Sequence, residues 1–169
     1  MKMKNFVGLS ILLFVVSCSP STTVKGQSDS TEKMKNAATE IMLIATALVD
    51  YVTDHGEFSF KDFPFLHKDS DIYNALCPDY VKSLPISDPW GKSYLVICGK
   101  NIDGSLYGIP SGGGADFLIF SKGRDGEAEN WIYDPENGAA GLYEGNDPDK
   151  DIVLFNGTFI RAPKSWGIR

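Results

Sequence analysis

Basic residues are in deficit. Lys and Arg number 16 against 22 Asp and Glu in 169 residues, a formal net charge of -6. No basic face or stripe stands out, so a nucleic-acid partner, which needs one to neutralise phosphates, is not expected. Histidine occurs only at His55 and His67, and no nucleophile motif frames any serine. A catalytic set therefore has little to draw on, and an enzyme is not expected. Gly112-Gly113-Gly114 lacks the Lys-Ser/Thr that closes a phosphate loop and leads into a strand-like run, so it reads as a flexible turn. The apolar run Phe6 to Val16 falls short of the ~20 residues that cross a bilayer as a helix. What is plentiful, 43% hydrophobic and 12% aromatic residues, suits one globular domain and excludes a disordered or collagen-like chain.

The N-terminal stretch reads as an address. Met1 to Lys4 is basic, Phe6 to Val16 is apolar, and Val15-Val16-Ser17-Cys18 resembles a bacterial lipobox. Ser17 is the small residue a signal peptidase tolerates, and Cys18 supplies the thiol that takes a diacylglycerol. Residues 1–17 are then a signal peptide. The alternative is an ordinary secretory signal with Cys18 merely nearby. Acylation would tether the chain to a membrane, stably with two or more acyl chains and weakly with one. Ser19 instead of Asp after the cysteine leans toward the outer membrane. Residues 18–28 are small and polar and are expected as a flexible tether, with the globular domain at 29–169. Two cysteines remain, Cys77 and Cys98. In an exported compartment they are expected to form a disulfide, closing a loop of roughly 20 residues worth about 3 kcal/mol if unstrained. Two buried free thiols are the alternative. A metal is not, since neither histidine sits at zinc spacing from them.

Asp29 to His55 is the clearest element. Asp29 and Glu32 form an acidic helix start, and Met34, Ala37, Ala38, Ile41, Ala45, Leu48 and Val52 recur at helical spacing. Met42, Ile44, Val49 and Tyr51 widen this apolar face, the whole stripe is read as core, and Gly56 as its stop. Phe58, Phe60, Phe63 and Phe65 surround Pro64 and are expected to pin a loop over the helix end. Asp69 to Leu76 reads as a short helix. Beyond Pro85 the period changes: Ser93 to Cys98, Ala115 to Ser121, Asp151 to Phe155 and Thr158 to Arg161 read as strands, the last pair a hairpin around Asn156-Gly157. One long helix followed by antiparallel strands predicts an α+β fold, the helix packed on a small sheet.

Three stretches, in order, resemble one family. Ile44 to Phe58 looks like the end of a pilin-type helix. Leu84 to Tyr94 carries Asp88-Pro89-Trp90-Gly91 with a following tyrosine. Phe117 to Gly126, followed at a distance by Asp151-Ile152, looks like a strand, a Ser-x-Gly-x-Asp-Gly turn and a distal Asp-Ile. Together they resemble the C-terminal periplasmic domain of the type II secretion major pseudopilin, protein G. Asp88-Pro89-Trp90-Gly91 also makes sense as a structural device: the acid accepts backbone N–H bonds, proline fixes φ, tryptophan buries area and glycine reverses the chain.

The resemblance implies calcium, bound by aspartates and main-chain oxygens between the last strands. The matching positions are Asp125, Asp149 and Asp151, with Asp147 in reserve, and the main-chain carbonyl of Lys122. A solvated acidic loop is the alternative. The insertion Glu127 to Asn146 departs from the family pattern and carries Trp131, Tyr133 and Tyr143. If exposed, these rings suit a surface glycan-binding module. Assembling pseudopilins also keep an apolar stem with a glutamate. Leu13 stands in the glutamate position, so filament assembly is not expected. The expectation is a non-enzymatic, lipid-anchored envelope protein that binds other proteins.

Overall fold

The fold is known from a computed structural model, which describes residues 23–60 and 64–167. The helix α1 spans Thr23–His55. Met34, Ala37, Ile41, Ala45 and Leu48 of the stripe are buried, with Ile44 and Tyr51, and Ala38 and Val52 are half-buried at its margins. Met42 and Val49, read as widening the core face, are exposed instead, because they lie on the side of the helix turned away from the sheet. Gly56 ends it at φ 82, donating its N–H to the Val52 carbonyl at 2.8 Å. The start differs from the expectation. Residues 23–28, read as flexible tether, are helical, because extending a helix from a packed segment costs little per residue. None of the described side chains ahead of Met34 is buried. Gly26, Ser28 and Asp29 are exposed and Ser30, Thr31 and Lys33 half-buried, so the stretch from Thr23 to Asp29 leads into the core as a helical stalk of about 10 Å. The signal segment, Cys18 and the rest of the tether lie outside the described residues, as does Phe63.

A short helix α2, Asp71–Leu76, follows, with Ser70 accepting the Tyr73 N–H as its cap. Strands β1 (Leu95–Cys98), β2 (Phe117–Ser121), β3 (Ile152–Phe155) and β4 (Thr158–Arg161) pair antiparallel in chain order, giving the α+β architecture of a helix on a sheet. The register pairs Val96 with Ile119 and Ile119 with Leu154. Asn156 (φ 47) and Gly157 (φ 81) make the tight turn between β3 and β4.

Both faces of the sheet are covered. Val96, Cys98, Phe117, Ile119, Ile152, Leu154 and Phe159 pack under α1, where Phe58 and Phe60 stack around Tyr51 and close the helix end. Leu95, Leu118, Phe120, Val153 and Ile160 form a second core with Ile102, Tyr107 and Ile109, flanked by Trp131 and Tyr133. The edges are covered too. Pro64 and Leu66 bond the outer side of β1 (Val96 N–H to Pro64 O, 2.6 Å). At β4, Tyr143 donates its N–H to Ala162 O at 3.0 Å.

The expected disulfide is not formed: Cys77 and Cys98 are both free thiols. Cys98 is buried among the residues between sheet and α1. Cys77 sits just past the end of α2, in hydrogen-bond reach of Tyr73.

Candidate functional site

The insertion Glu127 to Asn146 and the residues after it are tied to the sheet by a buried polar knot. At its centre is Glu129. Its carboxylate accepts Arg161 Nε at 2.9 Å and Nη2 at 2.6 Å, Lys150 Nζ at 3.2 Å and the Asp151 backbone N–H at 3.0 Å. Asp151 returns the contact: its Oδ2 accepts the Glu129 N–H at 2.9 Å and the Tyr107 hydroxyl at 2.6 Å. Strand β4 positions Arg161, whose guanidinium lies 4.9 Å from the Tyr143 ring centroid and 5.5 Å from that of Trp131. Trp131 in turn stacks on Tyr107 at 4.9 Å.

The two acids are driven in opposite directions. Burial pushes the Glu129 carboxyl up, but hydrogen bonds from Arg161 and the Asp151 N–H, with the Arg161 charge, outweigh it and hold it below the usual range. Asp151 is raised, chiefly by burial, with the Glu129 charge adding to it. Burial first, then the bond to Asp151, lifts the Tyr107 hydroxyl far above its ordinary value. Among the described residues, Asp151 Oδ1, Tyr143 OH, Asn146 Oδ1 and Trp131 Nε1 are buried without a protein partner. With Glu129 saturated by donors, the knot fastens the insertion to the sheet.

The three rings of the expected glycan platform turn inward. Tyr143 is 7% exposed, while Trp131 and Tyr133 are half-buried against the second core. Only their neighbour Ile132 stands out, 76% exposed. The insertion is a cover for the sheet, and the glycan-binding reading loses its surface.

The residues matched to calcium ligation are brought near one another but otherwise engaged. The Lys122 to Gly126 turn meets the distal acids despite the insertion: Arg124 donates its N–H to Pro148 O at 2.7 Å, and a Cβ on Gly123 would lie 2.6 Å from that oxygen. The Arg124 side chain then grips Asp149 with two bonds, at 2.7 and 2.6 Å. Those bonds hold the Asp149 carboxyl below, and the guanidinium above, their ordinary values. Asp125 accepts the Glu127 N–H within its own turn, Asp147 accepts the Asp149 N–H, and Asp151 belongs to the knot. A metal bound through Asp149 would compete with the Arg124 guanidinium. Among the described residues no group of three or more His, Cys, Asp or Glu is arranged to hold one.

Asp88 behaves as its motif suggested and does more. Its Oδ1 accepts the Trp90 and Lys92 N–H groups at 3.0 and 2.9 Å, while Oδ2 accepts the Ser121 hydroxyl at 2.6 Å. Ser121 Oγ in turn accepts the Gly123 N–H at 3.2 Å. The two glycine-bearing motifs thus meet in one buried joint.

Glu129, Arg161 and Tyr107 were not singled out from sequence. The available signal was Arg161, a charge closing the apolar strand-like run Thr158 to Arg161, which calls for an acid where it is buried. Two further surface features stand apart from the knot. A cleft of about 210 Å³ is lined by Phe60, Pro64, Ile72, Val96, Cys98 and Asn101. On the solvent side of α1, Met42, Leu43 and Val49 are each more than two-fifths exposed. Among the described residues no helix is long and apolar enough to cross a membrane. Comparison with family models, with curated proteins and with solved structures finds no match to this chain.

Proposed function

We propose that this chain is a non-enzymatic, membrane-tethered envelope lipoprotein with a pseudopilin-like body, and that it works by holding other protein on its surface. The observation that carries the binding reading is the outer face of α1. Among the described residues Phe65 and Ile132 are exposed singly on loops, whereas Met42, Leu43 and Val49 are left in water together on the longest element. Apolar groups gathered on one exposed face favour association. The tether rests on Cys18 and the apolar run before it. The stalk from Thr23 would carry the body clear of a membrane surface. The resemblance to the pseudopilin domain is supported by the helix-on-meander architecture and by the Asp88–Ser121 joint between two of its motifs. Calcium belongs to this proposal only as an ion that competes with Arg124 for Asp149.

Two measurements test the reading. Cys18→Ser should move the chain from the membrane fraction to the soluble fraction, and an unchanged distribution would remove the lipid tether. Proteins that co-purify with the intact chain from envelope extracts should be lost on Leu43→Lys, while retention of all of them would remove α1 as the docking face.

A further inference from the structure

We infer that the outer face of α1 docks a second copy of this chain, the two helices running antiparallel about a two-fold axis that passes between Met42 and Leu43. This rests on the reading of that face as a docking surface and specifies its occupant.

Lys35, Thr39, Met42, Leu43, Thr46, Val49 and Asp50 are all exposed or nearly so and fall on one side of the helix. Between Lys35 and Asp50 this side carries no charge. Its polar members are already satisfied: Thr39 Oγ1 donates to the Lys35 carbonyl at 2.9 Å, and Thr46 Oγ1 to that of Met42 at 2.9 Å. Covering these threonines strands no hydroxyl, so the face is apolar in its energetics as well as its composition. An apolar centre bounded by charge is the layout of an interface core and its rim.

The charges at the two ends select the partner. Lys35 lies as far before the Met42–Leu43 point as Asp50 lies after it. A parallel copy would set Lys35 against Lys35 and Asp50 against Asp50. An antiparallel copy sets Lys35 against Asp50 twice and Thr39 against Thr46 twice, and brings Met42 and Leu43 each beside its own copy at the axis, with Val49 outside this pairing. Lys35, Thr39, Met42, Leu43, Thr46 and Asp50 also spread evenly to either side of the outward direction, so the axis falls at the middle of the exposed face. Exposed ion pairs add little strength and mainly choose orientation. The contact is confined to a few helical turns, small beside a standard interface, so pairing should depend on concentration. The Thr23 ends leave such a pair in opposite directions. Anchored copies would then meet across facing surfaces rather than side by side on one.

The test is sedimentation velocity of the full chain in mild detergent over about a hundredfold range of concentration. A monomer–dimer equilibrium is expected, weakened at least about tenfold by Leu43→Lys. Lys35→Glu and Asp50→Lys should each weaken it several-fold, and the two together should restore it. In oxidising buffer Leu43→Cys should cross-link to itself beyond the background of the parent chain. A monomer at every concentration, or a double charge exchange that fails to restore pairing, overturns the inference. If the parent is monomeric while co-purifying proteins are still lost on Leu43→Lys, the docking face stands and only the second copy falls. Unchanged near-ultraviolet circular dichroism in each variant excludes unfolding as the cause, as expected for exposed positions.

Discussion

Single residues in the knot carry loads that their sequence positions do not announce. Glu129 accepts four hydrogen bonds, and Arg161 beside it is 8% exposed. Truncating it leaves a buried guanidinium without its acid, so Glu129→Ala should cost about 2–4 kcal/mol in urea denaturation at neutral pH. The pH dependence follows from the direction of each shift. The stability Glu129 supplies is present above the ordinary glutamate range, about 4.3, and fades as pH falls through its lower folded value. Asp151 acts in the opposite sense: held above its ordinary value, it favours the folded state at low pH, and that contribution is lost as pH rises through its folded value. Glu129→Gln should therefore flatten the acid limb of a stability–pH curve, and an acid limb as steep as the parent's would show that other carboxylates dominate it. Gly141 is a second such residue. A Cβ there would stand 1.9 Å from the Ile160 carbonyl oxygen on β4. Gly141→Ala should lower stability by at least about 2 kcal/mol, read as a fall in the urea midpoint.

At the scale of elements, α1 has two faces with different duties. Leu48 is fully buried and Leu43 is 43% exposed, five residues apart on the same helix. Leu48→Ala should cost about 2–5 kcal/mol, whereas Leu43→Lys should change the stability of the folded unit by less than about 0.5 kcal/mol. Thermal unfolding of both variants measures the difference, and equal losses would mean the outer face is packed after all. The helix was legible from its spacing because a 3.6-residue period records which side meets the sheet. Its first turns were not, because Thr23 to Ser28 lack any such stripe and gain their order by continuation from the packed segment. The hairpin at Asn156-Gly157 was legible because both residues tolerate positive φ, which the turn requires.

At the scale of the whole molecule, the insertion proves to be a third layer. Both sheet cores, the covered β4 edge and the Arg124–Asp149 pair depend on chain segments far apart in sequence. The two cysteines illustrate the consequence. Burial raises the Cys98 thiol far above its ordinary value, while Cys77 lies only partly covered. Alkylation of the native protein should label Cys77 first, with Cys98 reacting only on unfolding. Protection of both in a way that a reductant reverses would indicate a bridge. Calcium should leave the melting midpoint of the parent unchanged, since Arg124 already neutralises Asp149. A rise with calcium that EDTA reverses would mean the ion displaces the guanidinium.

What the sequence determined by itself is local and periodic. The helix on its apolar stripe, the strands at their β-rich apolar runs, the glycine turns and the Asp88 turn all depend on neighbours a few residues away. What only the tertiary structure decided is pairing at a distance: that Arg161 finds Glu129, that Arg124 takes Asp149, that Trp131 and Tyr143 turn inward, and that Cys77 and Cys98 stay apart. The physical reason is that a charge or a ring records its need for a partner in its own chemistry. Which partner it meets is settled by the packing of the layers that carry them.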